Sequence, residues 1–195
     1  MGQKNHINSI KSYFIILQII IIINIILFSK ALANDREKEL KLLFEELTTG
    51  SAELMHLTEK KIWDIWSTHP TDKKLTEILS EGSTYVNNNQ LNKAIEVFSK
   101  VINLDPTWAE AWNKRATVLY MIGEYQKSQK DIDKVLELEE RHFGALAGQG
   151  LVNIKLQNYE KALESYQKVE KIYPAMKSPK IMIRSIKKLI KEQSI

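Results

Sequence analysis

Apolar residues between positions 34 and 74 recur at the spacing of two helices. The first helix face carries them at i, i+3, i+4 and i+7: Leu40, Leu43, Phe44 and Leu47. Gly50 can end this helix, and the second helix stops before Pro70, because the residue before proline avoids helical geometry. Trp63 and Trp66 are large enough to anchor both helices on the remainder of the chain. We therefore predict a helical hairpin over residues 34–74.

From residue 75 the apolar pattern repeats with a 34-residue period. One phase of the repeat carries small side chains: Gly82, Ala116 and Gly150. Another phase carries large ones: Phe98, Ile132 and Tyr166. The period divides the segment into three units, 75–108, 109–142 and 143–176, each long enough for two helices joined by a short turn.

These phases have a packing explanation. Gly82 and its equivalents allow the two helices of a unit to approach closely, while Phe98 and its equivalents are expected to fill the gap between successive units. Asp105 and Pro106 are expected to cap the next helix, with the proline in its first turn. Because one unit cannot bury its own apolar face, the units must stack.

The repeated segment resembles the tetratricopeptide repeat (TPR), whose pattern is W-x2-L-G-x2-Y, then A-x3-F, then P. The first unit carries Gly82-x2-Tyr85, Ala94-x3-Phe98 and Pro106. Three positions depart from the pattern: Ser128, Glu140 and Asn153. The resemblance covers residues 75–176 and implies an all-α fold, a right-handed α-solenoid of three TPR helix pairs. The N-terminal hairpin would precede it and a C-terminal capping helix would close it.

The last segment, residues 177–195, predicts one amphipathic helix. Its apolar side carries four residues: Met182, Ile186, Leu189 and Ile190. Its other side is basic: Lys180, Arg184, Lys187, Lys188 and Lys191. We interpret it as the capping helix, since a repeat array needs a polar outer face at its end. A basic surface for anionic lipid or an acidic partner is the alternative.

Residues 1–33 have the parts of a secretory signal peptide. Lys4 and Lys11 precede an apolar run over residues 13–28, and small residues follow in Ala31-Leu32-Ala33. We predict cleavage after Ala33 and a periplasmic or secreted mature protein. The alternative is a retained inner-membrane anchor, although sixteen residues fall short of the roughly 20 that span a bilayer.

Composition removes several classes of function. The chain has no cysteine, which excludes disulfides, thiolate metal sites and cysteine catalysis. Three of its 28 basic residues and none of its 24 acidic residues lie in residues 1–33, so the remainder is nearly neutral. We therefore expect no nucleic-acid partner, and contact with a membrane only through an uncleaved leader.

No catalytic motif accompanies the repeats. The sequence contains no H-E-x-x-H, no G-x-S-x-G and no phosphate-binding loop. Glu139 and His142 have the spacing of two metal ligands, but a solvated pair is the stronger interpretation. We predict a chain that is not an enzyme and that binds no metal and no cofactor.

The resemblance places the first helix of each unit on a concave groove that commonly holds a peptide or a partner helix. The groove candidates are Ser83, Val86, Asn87, Asn113, Lys114, Thr117, Tyr120, Met121, Leu151, Ile154 and Lys155. The cations with which some TPR domains clamp a C-terminal carboxylate are not reproduced: Leu79, Ser80, Ala147 and Gly148 occupy those positions. We expect an extended peptide or a helix held partly by apolar contact. In the alternative, the N-terminal hairpin fills the groove and buries Tyr120 and Ile154.

The sequence thus favours a non-enzymatic protein–protein interaction scaffold or adaptor of the bacterial cell envelope, which binds a protein or peptide through the concave TPR surface. Two alternatives use the same fold: a secreted effector that binds a host protein, and a membrane-anchored assembly factor. The sequence does not distinguish them.

The leader gives the first testable prediction. Because the small residues before Asn34 fit a signal peptidase, the protein purified from expressing cells should begin at Asn34. Intact-mass spectrometry measures this directly. A mass that includes residues 1–33 would instead support the retained anchor.

Overall fold

The computed structural model describes the backbone of residues 2–50 and 52–193; the side chains of 2–16, 25–33, 52–53 and 193 lie outside the description. Within these ranges the chain has nine helices and no strand. The helices are α1 (Gly2–Thr49), α2 (Ala52–Ser67), α3 (Lys73–Asn87), α4 (Leu91–Leu104), α5 (Ala109–Met121), α6 (Tyr125–Leu138), α7 (Phe143–Lys155), α8 (Tyr159–Ile172) and α9 (Lys177–Gln193). They belong to two units, Met1–Leu40 and Lys41–Ile195.

The first unit is the N-terminal part of α1. Leu17 and Ile19 to Ile23 are exposed on it, and Asn24 donates its side-chain amide to the carbonyl of Ile20 at 2.8 Å. No helix among the described residues is both long and apolar enough to cross a membrane. The helix continues through the predicted cleavage site, where the side chains of Ala31 and Ala33 lie outside the description. These helix bounds are those of the chain before any cleavage, so cleavage after Ala33 stays a prediction.

The second unit contains the three predicted helix pairs. α3 packs on α4, α5 on α6 and α7 on α8, and each pair also packs on the next one along the chain. We call α3, α5 and α7 the A helices, and α4, α6 and α8 the B helices. The A helices α5 and α7 begin at Ala109 and Phe143, 34 residues apart as the repeat requires. The predicted period is confirmed as a stack of helix pairs.

Gly82 and Phe98 determine how closely the first pair packs. A Cβ atom added at Gly82 would lie 2.4 Å from Cε1 of Phe98, so the ring occupies the space that a side chain would need. Gly150 and Tyr166 repeat this contact in the third pair, also at 2.4 Å. Phe98 also shares a buried cluster with Val118 of the next unit, as expected. The large residues therefore fill space both within a unit and between units.

The middle pair replaces part of this apolar packing by a hydrogen bond. Ser128, which departs from the alanine of the TPR pattern, is fully buried, and its hydroxyl donates to the carbonyl of Ala116 at 2.8 Å. A buried hydroxyl without a partner would cost stability, and this bond removes that cost. The departure is therefore compatible with the same close helix packing.

The prediction for Asp105 and Pro106 was wrong. α4 ends at Leu104 with Asp105 as its C-cap, and α5 begins only at Ala109 with Trp108 as its N-cap. The Asp105 carboxylate accepts hydrogen bonds from the backbone and the hydroxyl of Thr107, at 2.8 and 2.6 Å. These bonds hold residues 106–108 as a turn, so the proline lies before the helix and not in its first turn.

The last helix closes the stack. Ile183 and Ile186 of α9 are buried in one cluster with Ala162 and Tyr166 of α8. Met182 and Ile190 pack against the edge of that cluster. The predicted capping helix is therefore present, with its apolar side against the third pair.

The glycine contacts predict opposite effects for two alanine substitutions. Gly82→Ala should lower the free energy of unfolding by about 1–3 kcal/mol, because the new Cβ overlaps the buried Phe98 ring. Gly148→Ala should raise it by about 0.5–1 kcal/mol, because alanine favours a helix interior and its Cβ meets only Cδ1 of Ile132, at 3.6 Å. Urea unfolding followed by circular dichroism measures both values. Equal effects would contradict the packing described for Gly82.

Candidate functional site

Two adjoining cavities lie along the A helices, and we call this surface the A-helix groove. The first, about 270 Å³, lies between α3 and α5. The second, about 210 Å³, lies between α5 and α7, and Ile132 of α6 is among the residues that line it. Asn113 and Thr117 of α5 line both cavities, so the two form one surface across the three A helices.

Eight of the predicted groove residues line these cavities. The first cavity has Ser83, Val86, Asn87, Asn113, Lys114 and Thr117. Besides the two shared residues of α5, the second has Tyr120 and Leu151. The helical spacing of the repeat therefore brings together residues of all three units that are far apart in sequence.

Three predicted residues lie elsewhere. Met121 and Lys155 are exposed at the last positions of α5 and α7, beyond the residues that line the cavities. Ile154 is half-buried and packs against the cluster that contains Tyr166 and Ile186. Its side chain therefore packs against the cluster that α8 and α9 share, and it lines neither groove cavity.

Trp63 of α2 is a groove residue that the sequence analysis did not identify. It lines the first cavity, and a Cβ atom added at Gly144 would lie 2.5 Å from its Cη2. The hairpin therefore reaches the groove at Gly144. Tyr120, which the alternative placed beneath the hairpin, packs beside Tyr125 with ring centroids 5.5 Å apart. Gly144, a glycine in the first turn of α7, is the sequence signal for this contact.

A buried polar network lies next to the groove. Glu110 is 1% exposed and His142 is not exposed at all. Nδ1 of His142 accepts a hydrogen bond from the backbone of Ala145 at 3.1 Å, which leaves the ring proton on Nε2. Nε2 then donates to Oε2 of Glu110 at 3.1 Å, and the amide of Asn113 donates to the same oxygen at 3.0 Å.

The network keeps Glu110 ionised. Burial raises the pKa of this carboxyl, but the hydrogen bond from His142, the positive charge nearby and the hydrogen bond from Asn113 together outweigh burial and hold the pKa below its ordinary value. Nζ of Lys114 lies 3.2 Å from Oε1 of Glu110, without the geometry of a hydrogen bond. Because Lys114 is paired in this way, its charge is already compensated within the groove.

The weak metal hypothesis does not match this arrangement. The carboxylate of Glu139 binds the guanidinium of Arg141 at 2.7 and 2.8 Å, while His142 faces Glu110. In the part of the chain that the structure describes, no cluster of three or more histidine, cysteine or acidic residues could hold a metal ion. Glu139 and His142 therefore have separate structural partners.

Aromatic contacts fix the hairpin to the repeats. The Trp66 ring stacks on His142, with centroids 4.0 Å apart and an interplanar angle of 9°. Nε1 of Trp108 donates to the backbone carbonyl of Trp66 at 2.9 Å, and the hydroxyl of Tyr173 donates to Glu59 at 3.1 Å. The prediction that the tryptophans anchor the hairpin is confirmed: the tryptophan contacts are at the starts of α5 and α7, and the contact of Glu59 is at the end of α8.

Comparisons with known proteins agree with this fold. Residues 82–123 match the family model described as TPR repeat, and residues 144–176 match the one described as tetratricopeptide repeat. A TPR repeat-containing protein of Rhizobium etli is 40% identical over 82 residues, which are 42% of this chain and 40% of that protein. Tetratricopeptide repeat protein 12 of Mus musculus is 37% identical over 67 residues, 34% of this chain and 10% of that protein. The chain thus matches less than half of the length of either relative.

Solved structures show the same architecture. The first TPR of Spaghetti (RPAP3), bound to an HSP90 peptide, superposes with a TM-score of 0.59 at 19% identity, over 60% of this chain and 94% of that one. The Sgt2 TPR domain of Aspergillus fumigatus gives 0.60 at 19% identity, over 63% and 83%. MamA gives 0.56 at 25% identity, over 73% and 80%. The predicted fold, an all-α solenoid of three TPR helix pairs, is confirmed.

The buried network gives a prediction about stability. His142→Ala should lower the free energy of unfolding at neutral pH by about 3 kcal/mol, because Glu110 would stay charged and buried without its histidine donor. The exposed His56 of α2 is the matched control, and His56→Ala should stay within about 0.5 kcal/mol of wild type. Chemical unfolding monitored by tryptophan fluorescence measures both variants.

The pH dependence has a defined sign. Because the folded pKa of Glu110 lies below the ordinary 4.5, its favourable contribution is present above pH 4.5 and is lost as the pH falls through the folded value. The difference between wild type and His142→Ala should therefore shrink below pH 4.5. A difference that stays constant in acid would contradict the assigned pairing.

Proposed function

We propose that the chain is a non-enzymatic scaffold or adaptor that binds an extended peptide or a partner helix in the A-helix groove. The observation that carries this proposal is the pair of adjoining cavities that share Asn113 and Thr117 across three stacked helices. Two structural neighbours support it: the Spaghetti domain is bound to an HSP90 peptide, and the TPR2B domain of yeast Sti1 is in a complex with pHsp70.

The groove chemistry favours a largely uncharged ligand. Asn113 donates one amide hydrogen to Glu110, and its Oδ1 has no partner among the described residues, so it can accept a hydrogen bond from a peptide backbone. Leu151 and Tyr120 provide apolar surface beside it. Lys114 is already paired with Glu110, so recognition of a carboxylate at this lysine is disfavoured.

The place of action is a proposal from the sequence. The charged start, the apolar run and the small residues at 31–33 support export to the bacterial cell envelope. A secreted effector that binds a host protein and a membrane-anchored assembly factor would use the same groove. The three functions differ in where the protein is located, and fractionation of cells and culture medium measures that location.

A substitution in the shared part of the groove tests the binding proposal. Thr117 is exposed and lines both cavities, so Thr117→Arg should fill the groove without disturbing the core. Peptides selected from a displayed random library on the wild-type protein should bind this variant at least about tenfold more weakly. Fluorescence polarisation with the selected peptides measures the affinity.

The matched control places the same side chain outside the groove. Gln126 of α6 is exposed and lines neither cavity, so Gln126→Arg should leave affinity within about twofold of wild type. Equal affinity of wild type and Thr117→Arg would reject the groove as the binding surface. A library that yields no binder would count against peptide recognition itself.

A further inference from the structure

The outer side of α9 carries a concentrated stripe of positive charge. At 100° per residue, six cations and one isoleucine fall within about one-third of the helix circumference. We call these residues the α9 stripe: Lys177, Lys180, Ile181, Arg184, Lys187, Lys188 and Lys191. Ile183 and Ile186, on the opposite side, are buried against the third helix pair. The stripe therefore faces away from the core.

The charges of the stripe are almost entirely uncompensated. All six cations are exposed, and Lys188 forms an ion pair with Glu192 at 3.8 Å. The other five have no ion-pair or hydrogen-bond partner for their side chains among the described residues. The stripe thus presents one sign of charge to the solvent along most of a helix of 17 residues, about 25 Å long.

Folding alone does not require this pattern. A capping helix needs a polar outer face, and a mixture of acids and bases would provide one equally well. Lys177 and Lys180 lie in the first turn, where the helix dipole disfavours positive charge, and no acid is present in that turn. Neighbouring cations at i, i+3 and i, i+4 also repel one another along the whole stripe. These unfavourable interactions lower the stability of the free protein, and binding to an anionic surface would remove them.

We propose that the α9 stripe docks the protein on an anionic lipid surface. Several lysines and arginines on one helix face attract negatively charged headgroups. Ile181, which is 54% exposed in the middle of these cations, can enter the headgroup layer between them. Because the apolar side of α9 packs against the core, that side does not enter the bilayer, and the helix lies on the membrane surface.

The composition of the stripe favours lipid over nucleic acid. It contains no aromatic ring to stack on a base and no asparagine or glutamine to read a base edge. On nucleic acid an exposed aliphatic side chain among phosphate contacts would have no apolar group to pack against, whereas a headgroup layer accommodates it. This inference is independent of the A-helix groove, since none of the stripe residues lines either groove cavity.

Vesicle sedimentation with the full chain tests the inference. The probes are vesicles of phosphatidylcholine alone and vesicles in which about one-third of the lipid is phosphatidylglycerol. The exposed apolar residues of α1 would bind both kinds, so the ratio of the two partition coefficients isolates the effect of charge. We expect a ratio of at least about ten at low salt that falls steeply as the ionic strength rises.

Two triple variants with the same change in net charge separate a local stripe from overall charge. Lys180→Gln/Arg184→Gln/Lys187→Gln should reduce binding to the anionic vesicles at least about tenfold. Lys100→Gln/Lys130→Gln/Lys161→Gln, at exposed lysines of the B helices, should change it less than about twofold. Circular dichroism should show that both variants keep the melting temperature of the wild type or exceed it.

Three outcomes would overturn the inference. The first is equal binding to both kinds of vesicle, and the second is an equal loss of binding in both triple variants. The third is stripe-dependent binding to a short DNA duplex, or to an acidic polypeptide such as polyglutamate, without binding to anionic vesicles. Ile181→Ser should weaken vesicle binding while leaving any DNA binding unchanged, which further distinguishes a lipid surface from a nucleic acid.

Discussion

The contact between a ring of one helix and a glycine of its partner determines the geometry of the first and third helix pairs. The ring of one helix occupies the space beside the backbone of its partner, as Phe98 does at Gly82 and Tyr166 does at Gly150. A pair packed in this way still exposes an apolar side, which only the next pair can cover. The stack, its inner surface and its need for an end helix all follow from this constraint.

The same constraint explains why the ends of the stack differ from its middle. The hairpin is held at the starts of α5 and α7, where Trp66 stacks on His142 and receives a hydrogen bond from Trp108. α9 covers the last pair through Ile183 and Ile186. Both additions bury apolar surface, but Trp63 also narrows the groove at Gly144. The flanking helices therefore determine which part of the inner surface is accessible to a partner.

Sequence reasoning predicted the helices because they follow from periodic spacing, and it predicted the stack because small and large residues alternate in phase. It missed contacts that depend on three-dimensional neighbours. The pairing of His142 with Glu110 joins residues 32 positions apart, and neither residue belongs to the repeat pattern. The turn after Asp105 depends on two hydrogen bonds, from the backbone and the hydroxyl of Thr107 to the Asp105 carboxylate. The preference of proline for the first turn of a helix does not take these bonds into account.

The groove candidates also divide into residues whose positions were predicted and residues whose contacts depend on three-dimensional neighbours. The resemblance to the TPR placed Asn113, Thr117 and Leu151 on one inner surface, and all three line the same cavity. Sequence reasoning could not show that Ile154 would pack against the cluster that α8 and α9 share, and it did not consider the pairing of Lys114 with Glu110. The first outcome depends on a helix outside the repeat, whereas the second is an i, i+4 pair within α5. A binding surface in a stacked array is thus defined by its period and then restricted by the helices that end the stack, and here these are the helices that carry Trp63 and the basic stripe.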